Sequence, residues 1–283
     1  MSFADLHLHS RYSDGTYGPE ELVTEARRCG LAVIALTDHD SGGGCAAAAR
    51  ACGAAGLEFI PGVELTVEVG GDELHLLGYF IDTQNGFLRS RIKQFQVARQ
   101  NRIREMVARL HRLQVPLSEQ SVFALANCQS PGRPHVARAL VQAGLCRSLD
   151  EAFERFLRYN RPAWVPKFKM DGREAIELLH QAGGVAVLAH PGLNRSDAVI
   201  PGLVEAGLDG LECFHTKHSA ATANLYLELA ARLGLVVTGG SDCHGLSKGR
   251  PLIGTVKVPC QRLEPLRARA AELRRAARPS AQP

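Results

Sequence analysis

Histidine and carboxylate recur in short doublets: Asp5-Leu6-His7-Leu8-His9, Thr37-Asp38-His39-Asp40 and Ser241-Asp242-Cys243-His244. Residues i and i+2 of a strand point the same way, so His7 with His9, and Asp242 with His244, each aim two donors at one spot. Imidazole and carboxylate together bind divalent transition metals, and four or five such groups accommodate more than one ion. Each doublet falls where a strand-like run ends, and Glu64, His75 and His190 are expected in similar places. Two or three closely spaced ions would acidify a bridging water and neutralise charge growing on phosphoryl oxygens. A phosphate monoester is already dianionic, so attack by hydroxide needs that neutralisation more than a dedicated protein base. The sequence shows no GxSxG or GxxxxGK[ST] motif, and Gly42-Gly43-Gly44 reads as a tight turn rather than a phosphate cradle.

Positioning these donors requires a scaffold with many strand ends on one face. Strands are expected at Phe3–Leu8, Ala32–Thr37, Glu58–Val69, Glu73–Ile81, Val185–Ala189, Gly210–Phe214, Leu235–Gly239 and Gly254–Val258, with helices at Pro19–Cys29, Gly43–Ala54, Gly172–Gln181 and Ser219–Leu233. Apolar runs such as AVIAL and VAVLA suit strands buried on both faces, hence a parallel sheet. The economical architecture is an irregular (β/α) barrel with its site at the strand C-termini. From about Phe87 to Tyr159 the pattern becomes nearly all helix, implying a small helical insertion that caps the metal face. The organisation expected is residues 1–86 as the first part of the barrel, 87–162 as the cap and 163–283 as the rest.

Charge divides along the same lines. Residues 1–88 carry 4 Lys+Arg against 13 Asp+Glu, a net of −9, while residues 89–167 carry 15 against 5, a net of +10. An acidic first section suits cations and a basic middle suits an anionic substrate, although many of these side chains simply solvate helix faces. The 8 cysteines form no CxxC pair, which argues for reduced thiols rather than disulfides or a thiolate zinc site, and Cys243 turns away from its flanking donors. His7 arrives too early to leave room for a signal peptide and no apolar run suits a membrane span, so a cytoplasmic location is expected.

Asp5-Leu6-His7-Leu8-His9-Ser10, Thr37-Asp38-His39-Asp40, Ala189-His190-Pro191 and Ser241-Asp242-Cys243-His244, in this order, resemble the four motifs of the PHP (polymerase and histidinol phosphatase) family of metal-dependent phosphoesterases. Within it, the chain is most similar to the bacterial branch that removes the 3′-phosphate of nucleoside 3′,5′-bisphosphates and trims short RNA from the 5′ end. The resemblance implies an amidohydrolase-like barrel and three metal positions, with a metal-bridging hydroxide held by Glu64 and Asp242. His7, His9, Glu64 and Asp242 would hold one ion; Glu64 would bridge to a second shared with His75 and His190; Asp14, His39 and His244 would hold a third. Some members carry histidine where this chain has Asp14, which leaves the third position open. Manganese is the first choice, and zinc or iron also suits such donors.

Several of these residues have plainer alternatives. His75, among apolar neighbours, would alone read as a core histidine, and His190 before proline as a strand terminator. Asp38 is expected to orient a ligand imidazole, Asp5 to act from outside the metal shell, and Asp40 to serve there or cap the helix near Gly43. His111 and His180 read as surface or core groups and His218 as exposed, whereas His215 stands where barrel active-site residues stand and is a candidate proton donor. Arg133 and His135, in a turn opening a helix, are expected to reach outward to phosphate, joined by Lys167, Asn160 and Arg161. Tyr12, Tyr17, Trp164 and Phe168 are candidates for stacking on a base or for packing.

The substrate expected is a small nucleotide with two phosphates, and short RNA is the alternative; no obligate protein partner is implied. A histidinol-phosphate-type phosphatase is the third enzyme reading, for which so basic a cap is excessive. A non-catalytic nucleic-acid-binding module is disfavoured because structural metal sites tend to be closed and cysteine-rich.

Overall fold

The computed structural model describes residues 2–194 and 197–276. Among them nine strands form one sheet: β1 (Phe3–Asp5), β2 (Leu31–Leu36), β3 (Glu58–Val69), β4 (Asp72–Tyr79), β5 (Met170–Asp171), β6 (Val185–Leu188), β7 (Gly210–His215), β8 (Val236–Gly240) and β9 (Val258–Pro259). Their order is β8-β7-β6-β4-β3-β2-β1-β9, with β5 pairing β3 off this path. The Leu6 N–H donates to the Gly239 carbonyl at 3.2 Å and Leu8 bridges Cys243, so β8 returns beside β1 and the sheet nearly closes into a barrel. Gly240 permits that approach, because a Cβ there would lie 2.4 Å from the His7 backbone nitrogen.

The barrel architecture is as expected, with one correction to its strand directions. β4 runs antiparallel to both β3 and β6, and β9 antiparallel to β1. Only Gly70 and Gly71, both at positive φ (61° and 91°), separate β3 from β4, too short a link for a parallel crossover. β4 pairs along its whole length with the outer part of β3, Gly62 with Tyr79 through Val69 with Asp72, and this hairpin arm extends past the stretch of β3, Glu58 to Pro61, that pairs β2. The strand expected at Gly254–Val258 is mostly turn, and only Val258–Pro259 pair.

Helices pack against the outside for reasons visible in their ends and faces. The helix Pro19–Arg28 opens on proline with Glu20 and Glu21 in its first turn, and closes on Arg27 and Arg28, all favourable to its dipole. The Glu21 carboxylate accepts the Gly18 N–H at 2.6 Å, and Leu22, Val23 and Ala26 face inward. They meet Leu8, Ile34 and Leu36, while Leu6 packs with Val33, Ile60 and Val187. Burying each such leucine contributes roughly 1.5–3 kcal/mol.

Between β4 and β5 the chain is almost entirely helical: Gly86–Arg112, Glu119–Ala126, Arg133–Gln142 and Leu149–Ala152, the last running into a π-helical turn at Phe153–Leu157. This segment has its own apolar cluster, including Ile103, Met106, Leu110, Val136 and Leu140. It is fastened to the barrel mouth by polar contacts. Arg99 pairs with Asp40 at 2.5 Å, Ser130 donates to the Asp40 carbonyl at 3.0 Å, and Arg138 donates to the Asp14 carbonyl at 3.1 Å. Among the described residues no helix is long and apolar enough to cross a membrane, and all eight cysteines are free.

On the opposite side, Asp209 binds three elements together. Its buried carboxylate accepts from the Ala186 N–H at 2.7 Å and from Arg269 at 2.7 Å, and pairs with His180 at 2.8 Å. Burial opposes its charge, but His180, the Ala186 amide and Arg269 outweigh that and hold its pKa below the usual range. Asp209→Ala should therefore cost about 1.5–3 kcal/mol at neutral pH in urea unfolding. Because the folded-state pKa is depressed, this contribution is complete above the unfolded aspartate value of about 3.9 and is lost as pH falls through the lower folded value. Equal stability of variant and wild type at pH 7 would remove Asp209 from this role.

Candidate metal centre

The barrel mouth gathers the donors from six separate stretches. His7 and His9 alternate with Leu6 and Leu8 just beyond β1, His39 follows β2, His190 follows β6, and Asp242 and His244 follow β8. Glu64 and His75 differ from expectation, since both lie within strands rather than at their ends. The β3–β4 arm crosses the mouth at this level, where His39 bridges Glu64 and His75 faces Thr66. His190 and Asp242 turn at positive φ (31° and 52°), a backbone conformation uncommon for either residue type and concentrated at functional sites.

Glu64 is the hub. Its Oε1 lies 2.7 Å from His75 Nδ1 and 3.2 Å from His190 Nε2. Its Oε2 lies 3.0 Å from His39 Nδ1, 3.2 Å from His9 Nε2 and 3.4 Å from His7 Nε2. Asp242 Oδ1 stands 3.3 Å from His9 and 3.6 Å from His7, and His244 Nε2 stands 3.2 Å from Asp14 Oδ1. Donor atoms about 2.0–2.2 Å from one shared ion stand roughly 3–3.6 Å apart, the spacing of this cluster. Three convergent groups result: His7, His9 and Asp242; His39, Glu64 and His75; and His9, Asp14, His39 and His244. Relative to the sets implied by resemblance, His9 and His39 each stand between two groups, and His190 reaches the cluster through Glu64.

The donors fit divalent cations by a test independent of resemblance. His9 Nδ1 and His190 Nδ1 are buried without a hydrogen-bond partner, and Asp14 Oδ1, His39 Nδ1, Glu64 Oε2 and His75 Nδ1, though 2.7–3.2 Å from a neighbouring donor or acceptor, make no aligned hydrogen bond. Groups left so in a protein interior carry a desolvation cost unless an ion or water completes them. The electrostatics agree. Burial opposes ionisation of Glu64, yet His39, His75 and His7 hold its pKa well below the ordinary carboxylate value, and His244 and His39 do the same for Asp14. Burial, only partly offset by Glu64, keeps His39 and His75 below the usual imidazole value. At His7 and His9 burial is overcome by carboxylates, Glu212 and Glu64 for His7, Asp242 and Glu64 for His9, and the latter rises to about 10. Carboxylates that can hold a proton on a buried imidazole can equally stabilise a cation shared with it.

Glu212 is the site residue missed in the sequence expectations. Fully buried on β7, it accepts from His7 Nδ1 at 3.0 Å and from the His190 backbone N–H at 2.8 Å. His7 Nε2 thereby presents its lone pair to the centre, and the left-handed turn at His190 is fixed by the same side chain. Its signal in the sequence was a lone acid inside the apolar run Gly210-Leu211-Glu212-Cys213-Phe214. Asp38, by contrast, touches no imidazole. It accepts from the Ser10 N–H and hydroxyl and from the Ser13 hydroxyl at 2.6–2.7 Å, clamping the loop that carries Asp14. Asp5 accepts from the Ser241 and Gly254 amides, and Asp40 anchors Arg99 instead of capping a helix.

His215 is buried, with Nε2 3.5 Å from Asp242 Oδ2 and Nδ1 accepting the Lys217 N–H at 3.2 Å. His218 is half-buried rather than exposed, bonded to the Cys213 carbonyl and the Gly192 amide. Lys167 reaches the centre, its Nζ 3.4 Å from His75 Nε2 and 2.8 Å from Glu73. Arg133 lies behind it, largely buried and near Glu73 and Arg99. His135 points inward: its Nδ1 accepts the Gly132 N–H at 3.0 Å, and burial, then Arg138, pushes its pKa down to about 4. Asn160 and Arg161 are exposed, and Arg161 pairs with Glu154 at 3.3 Å.

A barrel mouth lined by buried histidines and carboxylates, with cations along one side, defines a metal-dependent hydrolase of phosphate esters. Comparison with known proteins identifies its family. The PHP domain model matches residues 5–116, and the chain belongs to that family. It is 33% identical, over 90% of this chain and 91% of the relative, to the 3′,5′-nucleoside bisphosphate phosphatase of Chromobacterium violaceum. It is 31% identical, over 85% and 84%, to the 5′-3′ exoribonuclease Rnm of Salmonella typhimurium. A phosphoesterase structure from Bifidobacterium adolescentis, described as metal-dependent, superposes with a TM-score of 0.87 at 33% identity, covering 94% of this chain and 96% of that one.

The Glu212 contacts generate a direct expectation. Glu212→Ala should weaken divalent-metal affinity by about 10- to 100-fold, read by calorimetry or metal content after dialysis. Unchanged affinity in a folded variant would show that His7 and His190 need no such support.

Proposed function

We propose that this chain is a metal-dependent phosphatase that removes the 3′-phosphate from nucleoside 3′,5′-bisphosphates, leaving a nucleoside 5′-monophosphate. The observation that carries the reading is a run of cations leading away from the metal centre. Lys167 adjoins His75, and Arg133, Arg99 and Arg102 follow, with Glu73 and Asp40 the acids that meet them. Burial and then the like charges of Arg133 and Arg99 push Arg102 down to about 9. Such crowding is relieved by an anion. A substrate with a second phosphate brings one, at a distance from the phosphate undergoing hydrolysis.

His7, His9, Glu64 and Asp242 would hold one ion, Glu64 with His75 and His190 a second, and Asp14, His39 and His244 a third, with manganese the preferred metal. Divalent ions held there would supply neutralisation of charge developing on phosphoryl oxygens and a lowered pKa for the attacking water. Residues 87–162 serve as the substrate-binding cap: Arg133 binds phosphate together with Lys167 of the following barrel segment, His135 shapes the turn that presents Arg133, and Asn160 and Arg161 line the cap's outer edge. His215, whose Nδ1 accepts a backbone N–H, keeps an N–H on Nε2 and hydrogen-bonds the leaving oxygen, which takes its proton from water. A cytoplasmic location suits such a substrate.

Purified protein supplied with manganese should release phosphate from adenosine 3′,5′-bisphosphate much faster than from 5′-AMP or histidinol phosphate, and a chelator should abolish turnover. Comparable rates on all three substrates would sink the assignment. Arg133→Ala and Lys167→Ala should each lower kcat/KM by about 10- to 100-fold, chiefly through KM. Arg133→Lys should rescue poorly, since an ammonium lacks the guanidinium fork.

A further inference from the structure

We propose that Glu73 is an exchangeable counter-ion for the second-phosphate subsite, pairing with Lys167 in the free protein and yielding it to the distal phosphate of the substrate. The inference rests on the nucleotide-phosphatase reading and adds a residue that governs how tightly that phosphate is held. Glu73 and His75 lie two residues apart on β4, so both project from the same face of the arm. Lys167 spans them, its Nζ 2.8 Å from Glu73 Oε1 and 3.4 Å from His75 Nε2. Glu73 is thus one ammonium removed from the metal centre, and Arg133 lies within its field. Strand rise sets the two side chains about 7 Å apart, close to the span from one phosphate to the other across a ribose.

The pair is built unequally. The Glu73 side chain is 37% exposed and that of Lys167 15%, so the acid can turn to solvent while the ammonium stays at the centre. Asp40, the other acid among these cations, has no such freedom: it is buried, bonded by Arg99 at 2.6 Å and by the Thr66 N–H at 3.2 Å. Nor does the arm itself call for an acid here. Glu73 stands directly across from Glu68 on β3, and like charges opposite one another weaken a sheet. Lys169 pairs with Glu68 as Lys167 does with Glu73. A phosphate dianion brings more charge and more acceptor oxygens than a carboxylate, and so displaces it from Lys167. Hydrolysis then removes the reacting phosphate, leaving Glu73 to compete with the remaining one for the same ammonium and to hasten its departure.

The test compares wild type, Glu73→Gln and Glu73→Asp, each loaded with manganese, on adenosine 3′,5′-bisphosphate and on 3′-AMP, which lacks the second phosphate. Binding of the product 5′-AMP is read separately by calorimetry, which needs no turnover. Glu73→Gln should lower KM for the bisphosphate and Kd for 5′-AMP by about 3- to 30-fold. Its KM for 3′-AMP should stay within about twofold of wild type. Glu73→Asp, which keeps the charge, should behave as wild type. A raised or unchanged constant for either the bisphosphate or 5′-AMP overturns the exchange, since Glu73 would then only prop Lys167. An equal gain on 3′-AMP overturns it too, as a general effect of lost negative charge. Either result leaves the phosphatase reading intact, whereas wild type that releases no phosphate from the bisphosphate removes both.

Discussion

One carboxylate organises the molecule. Glu64, itself buried, stands within 3.4 Å of five imidazoles, on His7, His9, His39, His75 and His190. A buried ion of either sign is costly unless it is paired and its remaining donors are occupied. The surrounding structure reads as a response to that constraint. Asp5 and Asp38 ligate backbone amides and hydroxyls rather than imidazoles, and so hold in place the loops from which the donors project. Glu212 does both, fixing one ring and one peptide.

The same division of labour extends outward. The acidic first section and the basic middle section meet at the mouth, where Asp40 holds Arg99 and the Asp14 carbonyl holds Arg138. The attachments that orient the helical segment thus also bring its cations beside the metal ligands. Ester hydrolysis at such a junction needs both halves: one to gather charge that stabilises the reacting phosphate, the other to fix the rest of an anionic molecule.

Much of the centre was legible because its signal is local. The pairs His7/His9 and Asp242/His244 stand out in sequence by their i, i+2 spacing, although both lie just past their strands and Asp242 turns at positive φ. Glu64 and His75 were recognisable as donors but misplaced along their strands, because the reach of the β3–β4 arm beyond the mouth depends on how far its neighbours extend. The reversed direction of β4 had a sign in Gly70-Gly71 that the apolar runs obscured. His135 and Asp38 show the other limit. A polar residue in a turn reads as a group facing a ligand, and only the packed structure reveals that one bonds the Gly132 amide and the other a pair of serines. Glu212 escaped notice because a single acid in a strand has no spacing to measure.

The close approach of Gly240 to His7 carries a consequence for how the protein is made. One flank of the barrel is sealed where the fourth decade of residues past 200 meets the first ten, so donors more than two hundred residues apart in the sequence meet there. During synthesis, which exposes the amino-terminal side first, His7, His9 and Glu64 emerge long before Asp242 and His244. A nascent chain therefore lacks a complete coordination cage until Asp242 and His244 have been made. Loading with metal is by this geometry a late event, coupled to closure of the barrel rather than preceding it.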